Sequence, residues 1–273
     1  MNGDGVASGP GAGNTGGAGN VSSREGVFHV ASRFRRTVLT VVAAIFVSFA
    51  AAVPAIYYLE ARNRPAEAAR LATELGIRPG MTVAEIGAGS GAMAVEVARL
   101  VGAGGGQVIA TELGDRRLSA IRDAARHAKL ANVVVIAAGE HETNLPADCC
   151  DAIYMQRVYH HLTDPAGVIA SVRRALRPGG RLGVIDFEPG PIGNLWTPPG
   201  VPDRGGHGVP TGTLVREMRS FGFTLRNDFI AWPDAEYLAV FTTATDSQSR
   251  PRGAIRAVPL LARADSLPAT IGW

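Results

Sequence analysis

One acid and three alternate glycines stand together in Glu85-Ile86-Gly87-Ala88-Gly89-Ser90-Gly91. Glycine lets backbone approach a ligand with no Cβ in between, and it permits the positive φ of a tight turn. Val83 and Ile86 read as a buried strand, and Ala92, Val95, Val97 and Ala98 as the helix that follows. Strand, glycine turn and helix are how an α/β sheet offers backbone to a nucleotide-like ligand. Gly87-x-Gly89-x-x-Ala92 also satisfies the dinucleotide fingerprint, so two ligands must be weighed. A pyrophosphate would face Glu85, and like charges near 4 Å repel by roughly 1–4 kcal/mol at effective dielectrics of 80 to 20. S-adenosylmethionine has no phosphate; its ammonium and sulfonium would be attracted by the same carboxylate. The acid tips the motif toward the cationic ligand.

A second group of reactive side chains comes later: Tyr159, His160, His161, Asp186, Glu188 and His207. Methyl transfer from a sulfonium needs the nucleophile held in line, which is worth up to about 7–11 kcal/mol. It needs a base only where the nucleophile arrives protonated. His160 and His207 are the candidate catalytic residues. No metal site is expected. Cys149 and Cys150 are adjacent, which rarely makes a structural disulfide, and read as small apolar fillers entering a strand, with a redox pair as the other reading.

These groups need a scaffold, and the periodicity supplies one. Ala68, Leu71, Ala72 and Leu75 mark a helix that Gly76 can end. Strands are expected at Thr82–Ile86, Gln107–Thr111, Val133–Ala137 (buried), Ala152–Met155 and Leu182–Asp186, the last entered through a Pro178-Gly179-Gly180 turn. Leu118, Ile121 and Ala125 mark one intervening helix. Asp164-Pro165 caps another, whose apolar face is Val168, Ile169, Val172 and Leu176. Alternating strands and helices indicate a mostly parallel sheet covered on both faces. Leu214, Val215, Met218 and Phe221 form a last helix. Phe223–Trp232 and Tyr237–Thr243 follow as two β-rich runs joined so tightly that they must pair antiparallel. The proline- and glycine-rich stretch 187–212 is long enough to lid a substrate pocket.

The chain of 273 residues has a formal net charge of +3 and is 46% hydrophobic, enough for a core and too weakly basic to imply nucleic acid. Residues 1–36 form a glycine-rich leader expected to be disordered. Residues 37–59 are expected to be a transmembrane helix or a signal sequence. Val38 to Leu59 lacks charge, and each Leu, Ile, Val or Phe there favours insertion by roughly 0.3–0.6 kcal/mol. The apolar run is longer than a usual signal core, and a start near Val27 would leave a compact basic leader. Arg33, Arg35 and Arg36 favour a cytoplasmic N-terminus, while Arg62, Arg64 and Arg70 oppose it, so membrane side stays open. Residues 60–245 form the globular domain. Residues 246–273, with four arginines among prolines, read as a flexible tail or a peripheral binding segment.

From about Arg64 to Thr243 the chain resembles the class I S-adenosylmethionine-dependent methyltransferases of the type 11 or UbiE-like kind. The glycine loop resembles their cofactor loop, with Glu85, Gly87, Ala88, Gly89 and Gly91 as its residues. Glu112 matches the acid that holds the ribose hydroxyls. Gly139-Glu140 through Leu145-Pro146 resembles the adenine-lining segment, with Glu140 where the family more often has Asp. Leu176-Arg177-Pro178-Gly179-Gly180-Arg181-Leu182 is similar to the loop entering strand five, and His160-His161-Leu162-x-Asp164-Pro165 is common among such enzymes. The resemblance implies a Rossmann-like α/β sandwich, a mostly parallel seven-stranded sheet with an antiparallel last strand. It also implies S-adenosyl-L-methionine as cofactor and a small-molecule or lipid acceptor. His141 would offer backbone N–H to the adenine or is a surface histidine; Gln156 would touch the methionine end or is an exposed amide. An NAD(P)-dependent oxidoreductase and a non-catalytic, membrane-tethered cofactor-binding domain remain as alternatives.

Overall fold

Alternate residues along each central strand face opposite helical layers, and this parity builds the molecule. The computed structural model describes residues 40–48, 50, 62–190, 197 and 199–243. The chain divides into two units, Met1–Arg62 and Asn63–Trp273. In the first, residues 40–48 are helical, with Val41, Val42, Ile45, Phe46 and Val47 exposed. Among the described residues no helix is long and apolar enough to cross a membrane. The whole 1–36 leader, the rest of the predicted span and the 246–273 tail lie outside the described residues.

The second unit holds the sheet. Its strands are β1 (Thr82–Ile86), β2 (Gln107–Glu112), β3 (Val133–Ala137), β4 (Cys150–Gln156), β5 (Leu176–Phe187), β6 (Phe223–Leu225), β7 (Ile230–Trp232) and β8 (Glu236–Thr243). Helices α1 (residues 62–75), α2 (Ala92–Gly102), α3 (Asp115–His127), α4 (Pro165–Ala175) and α5 (Thr211–Ser220) connect them. The strand order is β3-β2-β1-β4-β5-β8-β6, with β7 also on β8. Pairing is parallel from β3 through β5 and antiparallel at β8. This is the Rossmann-like class the pattern implies. Ala84, Ile153, Leu182 and Phe241 pack with α4 and α5 on one face. Val83, Val108, Tyr154 and Leu238 pack with α1, α2 and α3 on the other.

Four expectations need correction. The sheet has eight strands, because Arg226 to Phe229 break the predicted Phe223–Trp232 run and both halves pair with β8 rather than one run pairing with it as a hairpin. Strand β3 is an edge strand, with Val134 exposed, since among the described residues no strand pairs with its outer side. Strand β5 starts at Leu176, opposite Cys150, and the Pro178–Gly180 turn is a bulge between that pair and Arg181 opposite Ala152. Cys149 and Cys150 are joined in a vicinal disulfide, although Cys150 is also the buried strand residue expected.

Candidate active site

The carboxyl ends of β1, β2 and β4 open onto a cavity of about 740 Å³, lined by the glycine loop and the segments after β3 and β4. That volume suits a cofactor-sized ligand. Of the residues singled out from sequence, Glu85, Gly87, Ala88, Gly89, Glu112, Glu140 and Gln156 line it. Gly91, His141, His160 and His207 do not. Gly91 caps α2 at φ +79°, where a Cβ would sit 3.0 Å from the Ile121 Cα, so it serves the approach of α3. His141 turns its exposed ring to Asp164, with Nδ1 3.1 Å from Oδ2. Asp164 also accepts from the Gly167 N–H as the predicted cap of α4, which holds its carboxyl below the usual range.

The glycine loop is shaped by what lies on each side. At Gly87, φ +68°, a Cβ would collide with Val158 at 2.5 Å. At Gly89, φ +57°, the space beside it is open, as a ligand cradle requires. The loop is tied down by the Ala88 N–H to the Thr111 carbonyl at 3.0 Å and by the Gly89 N–H to Glu112 Oε2 at 2.8 Å. Glu112 Oε1 accepts from the Leu113 N–H at 2.9 Å. Each carboxylate oxygen has more than one acceptor site, so ribose hydroxyls can still be held there.

The charges lining the cavity decide which ligand fits. Its three arginines each face a carboxylate already: Arg64 is 3.8 Å from Glu67, Arg117 is 3.8 Å from Glu112, and Arg157 is bonded to Glu236 and Asp234. Glu85 differs. It is 4% exposed, and its Oε2 has no hydrogen-bond partner among the described residues. Burial pushes its carboxyl up to about 8, which the nearby Tyr154 hydroxyl and the Arg64 charge only partly offset. Tyr154 lies close enough for that influence without meeting hydrogen-bond geometry. A cation can draw off the carboxyl proton and meet the orphaned oxygen, a gain that a pyrophosphate does not offer. The residues present therefore fit S-adenosylmethionine.

Beyond the cavity a second cluster forms where β5 ends. Asp186 is fully buried and accepts three bonds: from His160 Nδ1 at 2.9 Å, the His160 N–H at 3.2 Å and the Phe187 N–H at 2.9 Å. A carboxylate only accepts, so His160 Nδ1 carries the proton and Nε2 is left as the ring's acceptor. His207 stacks edge-on at 4.7 Å between ring centroids, and His161 lies 4.0 Å from His160 and 5.6 Å from His207. The 187–212 stretch delivers His207 there. The Val209 N–H bonds to the Phe187 carbonyl at 2.9 Å, and Gly208, at φ +121°, leaves no room for a Cβ beside that same oxygen.

Sequence reasoning missed what anchors this stretch. Arg204, buried, grips Glu217 of α5 with Nε 3.0 and 3.1 Å from its two oxygens and Nη2 3.0 Å from one of them. Its guanidinium lies over the Tyr159 ring, whose hydroxyl donates to Glu217 at 2.6 Å. Nothing in the spacing of Arg204 and Glu217 distinguishes them from surface charges. Glu67 was missed too: Gln156 Nε2 at 2.8 Å and Trp232 Nε1 at 3.0 Å both donate to its Oε1, which fixes Gln156 at the cavity wall.

Residues 84–184 match the family model described as a methyltransferase domain. The chain is 35% identical over 117 residues to the ubiquinone/menaquinone biosynthesis C-methyltransferase UbiE of Marinomonas sp., a span covering 42% of this chain and 46% of that one. The Vibrio campbellii UbiE is 33% identical over 114 residues, covering 41% and 44%. The chain thus spans about half the length of the curated relatives it matches. In structure it resembles a SAM-dependent methyltransferase from Aquifex aeolicus, with a TM-score of 0.56, 20% identity and coverage of 69% of this chain and 96% of that one. It also resembles the cyclase SpnF, with a TM-score of 0.51 at 20% identity over 61% and 60% of the two chains. One fold thus serves proteins named for different reactions. Residues 84–184 thus match a methyltransferase domain, and the chain shares the Rossmann-like fold of the solved methyltransferase it resembles.

Proposed function

We propose that this protein transfers the methyl group of S-adenosylmethionine to a small, lipophilic acceptor bearing an ionisable hydroxyl, of the quinone type named for its relatives. The observation that carries the reading is Glu85, a buried, unmet acid beside an open glycine cradle. The bound cofactor supplies an electrophilic methyl group. The chain's own residues do the rest. Glu85 holds the cationic end, Glu112 the ribose hydroxyls, and Glu140 and Gln156 the two ends of the cavity. His160 Nε2, oriented by Asp186, takes the acceptor's hydroxyl proton, and His207 helps to position that hydroxyl. An acceptor of this kind agrees with a membrane tether formed by residues 38–59.

The test incubates the full chain with methyl-labelled S-adenosylmethionine and a membrane lipid extract. Label in an organic-soluble product is expected. Cofactor binding without turnover against any metabolite pool would favour a non-catalytic binding domain. Affinity for NADH in place of S-adenosylmethionine would favour an oxidoreductase.

A further inference from the structure

We propose that His160, His161 and His207 form a binding site for a divalent transition metal, Zn²⁺ or a neighbour in the first row. One ring nitrogen from each lies within 4.8 Å of the others. The three rings come from two separate places, the turn after β4 (Tyr159–His161) and the loop before α5, and are gathered where β5 ends. Neither Asp186 nor His207 falls in the matched 84–184 segment, so the site is assembled partly outside it.

The surroundings fit a metal in three respects. Imidazole-only donors suit Zn, Cu, Fe and Ni. His160 Nδ1 is held by Asp186, the carboxylate–histidine arrangement that fixes a metal-binding ring and leaves Nε2 as the ligand atom. Asp186 also contributes a buried negative charge next to the site. Three protein ligands leave a further position for water or an acceptor oxygen. His161 lines the cofactor cavity as well, so the site adjoins it. With a metal bound, His160 Nε2 would be a ligand and not the base proposed above, so any catalytic use of the site rests on the methyl-transfer reading and replaces that role; metal binding itself does not rest on it.

The experiment titrates the chelator-stripped, untagged full chain with ZnCl₂ by calorimetry, and with Co²⁺ followed by visible absorption. About one equivalent should bind, and Co²⁺ should give the intense bands of a low-coordinate site. His207→Ala and His161→Ala, on a loop and at an exposed ring, should each weaken Zn²⁺ binding by about 100-fold or more. Asp186→Asn should weaken it by about 10–100-fold. No Zn²⁺ binding by the wild type, or equal binding by the wild type and both histidine variants, would overturn the proposal. S-adenosylmethionine affinity measured on the same samples separates the two readings. Zinc binding with no cofactor affinity removes only the methyl-transfer reading, and the reverse removes only the metal site.

Discussion

Two buried acids end neighbouring regions of one sheet edge, and the protein treats them oppositely. Glu85, at the end of β1, keeps an oxygen with no partner among the described residues, and burial raises its carboxyl to about 8. Asp186, at the end of β5, accepts three hydrogen bonds and orients a histidine. A satisfied acid is scaffolding for another side chain. An unsatisfied one stores a cost that a ligand can relieve. On the proposed function, the contrast separates a cofactor side from an acceptor side.

The comparison breaks most sharply at Asp186. Asp186→Asn should lower turnover by about 10²–10⁴-fold, the usual worth of a positioned base, while S-adenosylmethionine affinity stays within about threefold. Kinetics with both substrates varied would check this; an equal loss of cofactor affinity would merge the two regions. Glu85→Gln should do the reverse at binding, weakening S-adenosylmethionine by about 10–100-fold, since a charge-assisted contact is worth about 1.5–3 kcal/mol. Equilibrium binding measures it.

Stability against pH sharpens the contrast further. The folded Glu85 carboxyl titrates near 8 and the unfolded one near 4.5, so the folded chain binds the extra proton between those values. Its contribution is fully present below about pH 4.5 and is lost as pH rises through about 8. The melting temperature of the ligand-free chain should therefore fall between about pH 4.5 and 8, and Glu85→Gln should flatten that fall. The smallest effect is expected at the anchor: Tyr159→Phe removes one bond to Glu217 and should cost about 1 kcal/mol in denaturant unfolding, with cofactor affinity unchanged.

Much of the scaffold was legible because parity and punctuation are local. Thr82–Ile86 and Val133–Ala137 were placed at their observed bounds, and Asp164 caps α4 as its position before Pro165 predicts. Glycines at 87, 89 and 91 announced the loop, yet only neighbours distant in sequence separate their tasks: Val158 crowds the first, open space borders the second, Ile121 packs on the third. The charge state of Glu85 was illegible for the same reason. The sequence shows an acid; burial beside Tyr154 decides how readily it ionises. The exposure of Val134 depends on β3 lying at an edge, and the meeting of His160 with His207 depends on a loop pinned through Arg204 and Glu217. Long-range packing of this kind leaves no periodic trace.

The central claim is that Glu85 meets the cation of S-adenosylmethionine, and proton linkage tests it most directly. Calorimetry at pH 7 in buffers of different ionisation enthalpy should show wild-type binding releasing close to one proton more than Glu85→Gln. Equal proton release and equal affinity in the two proteins would contradict the account.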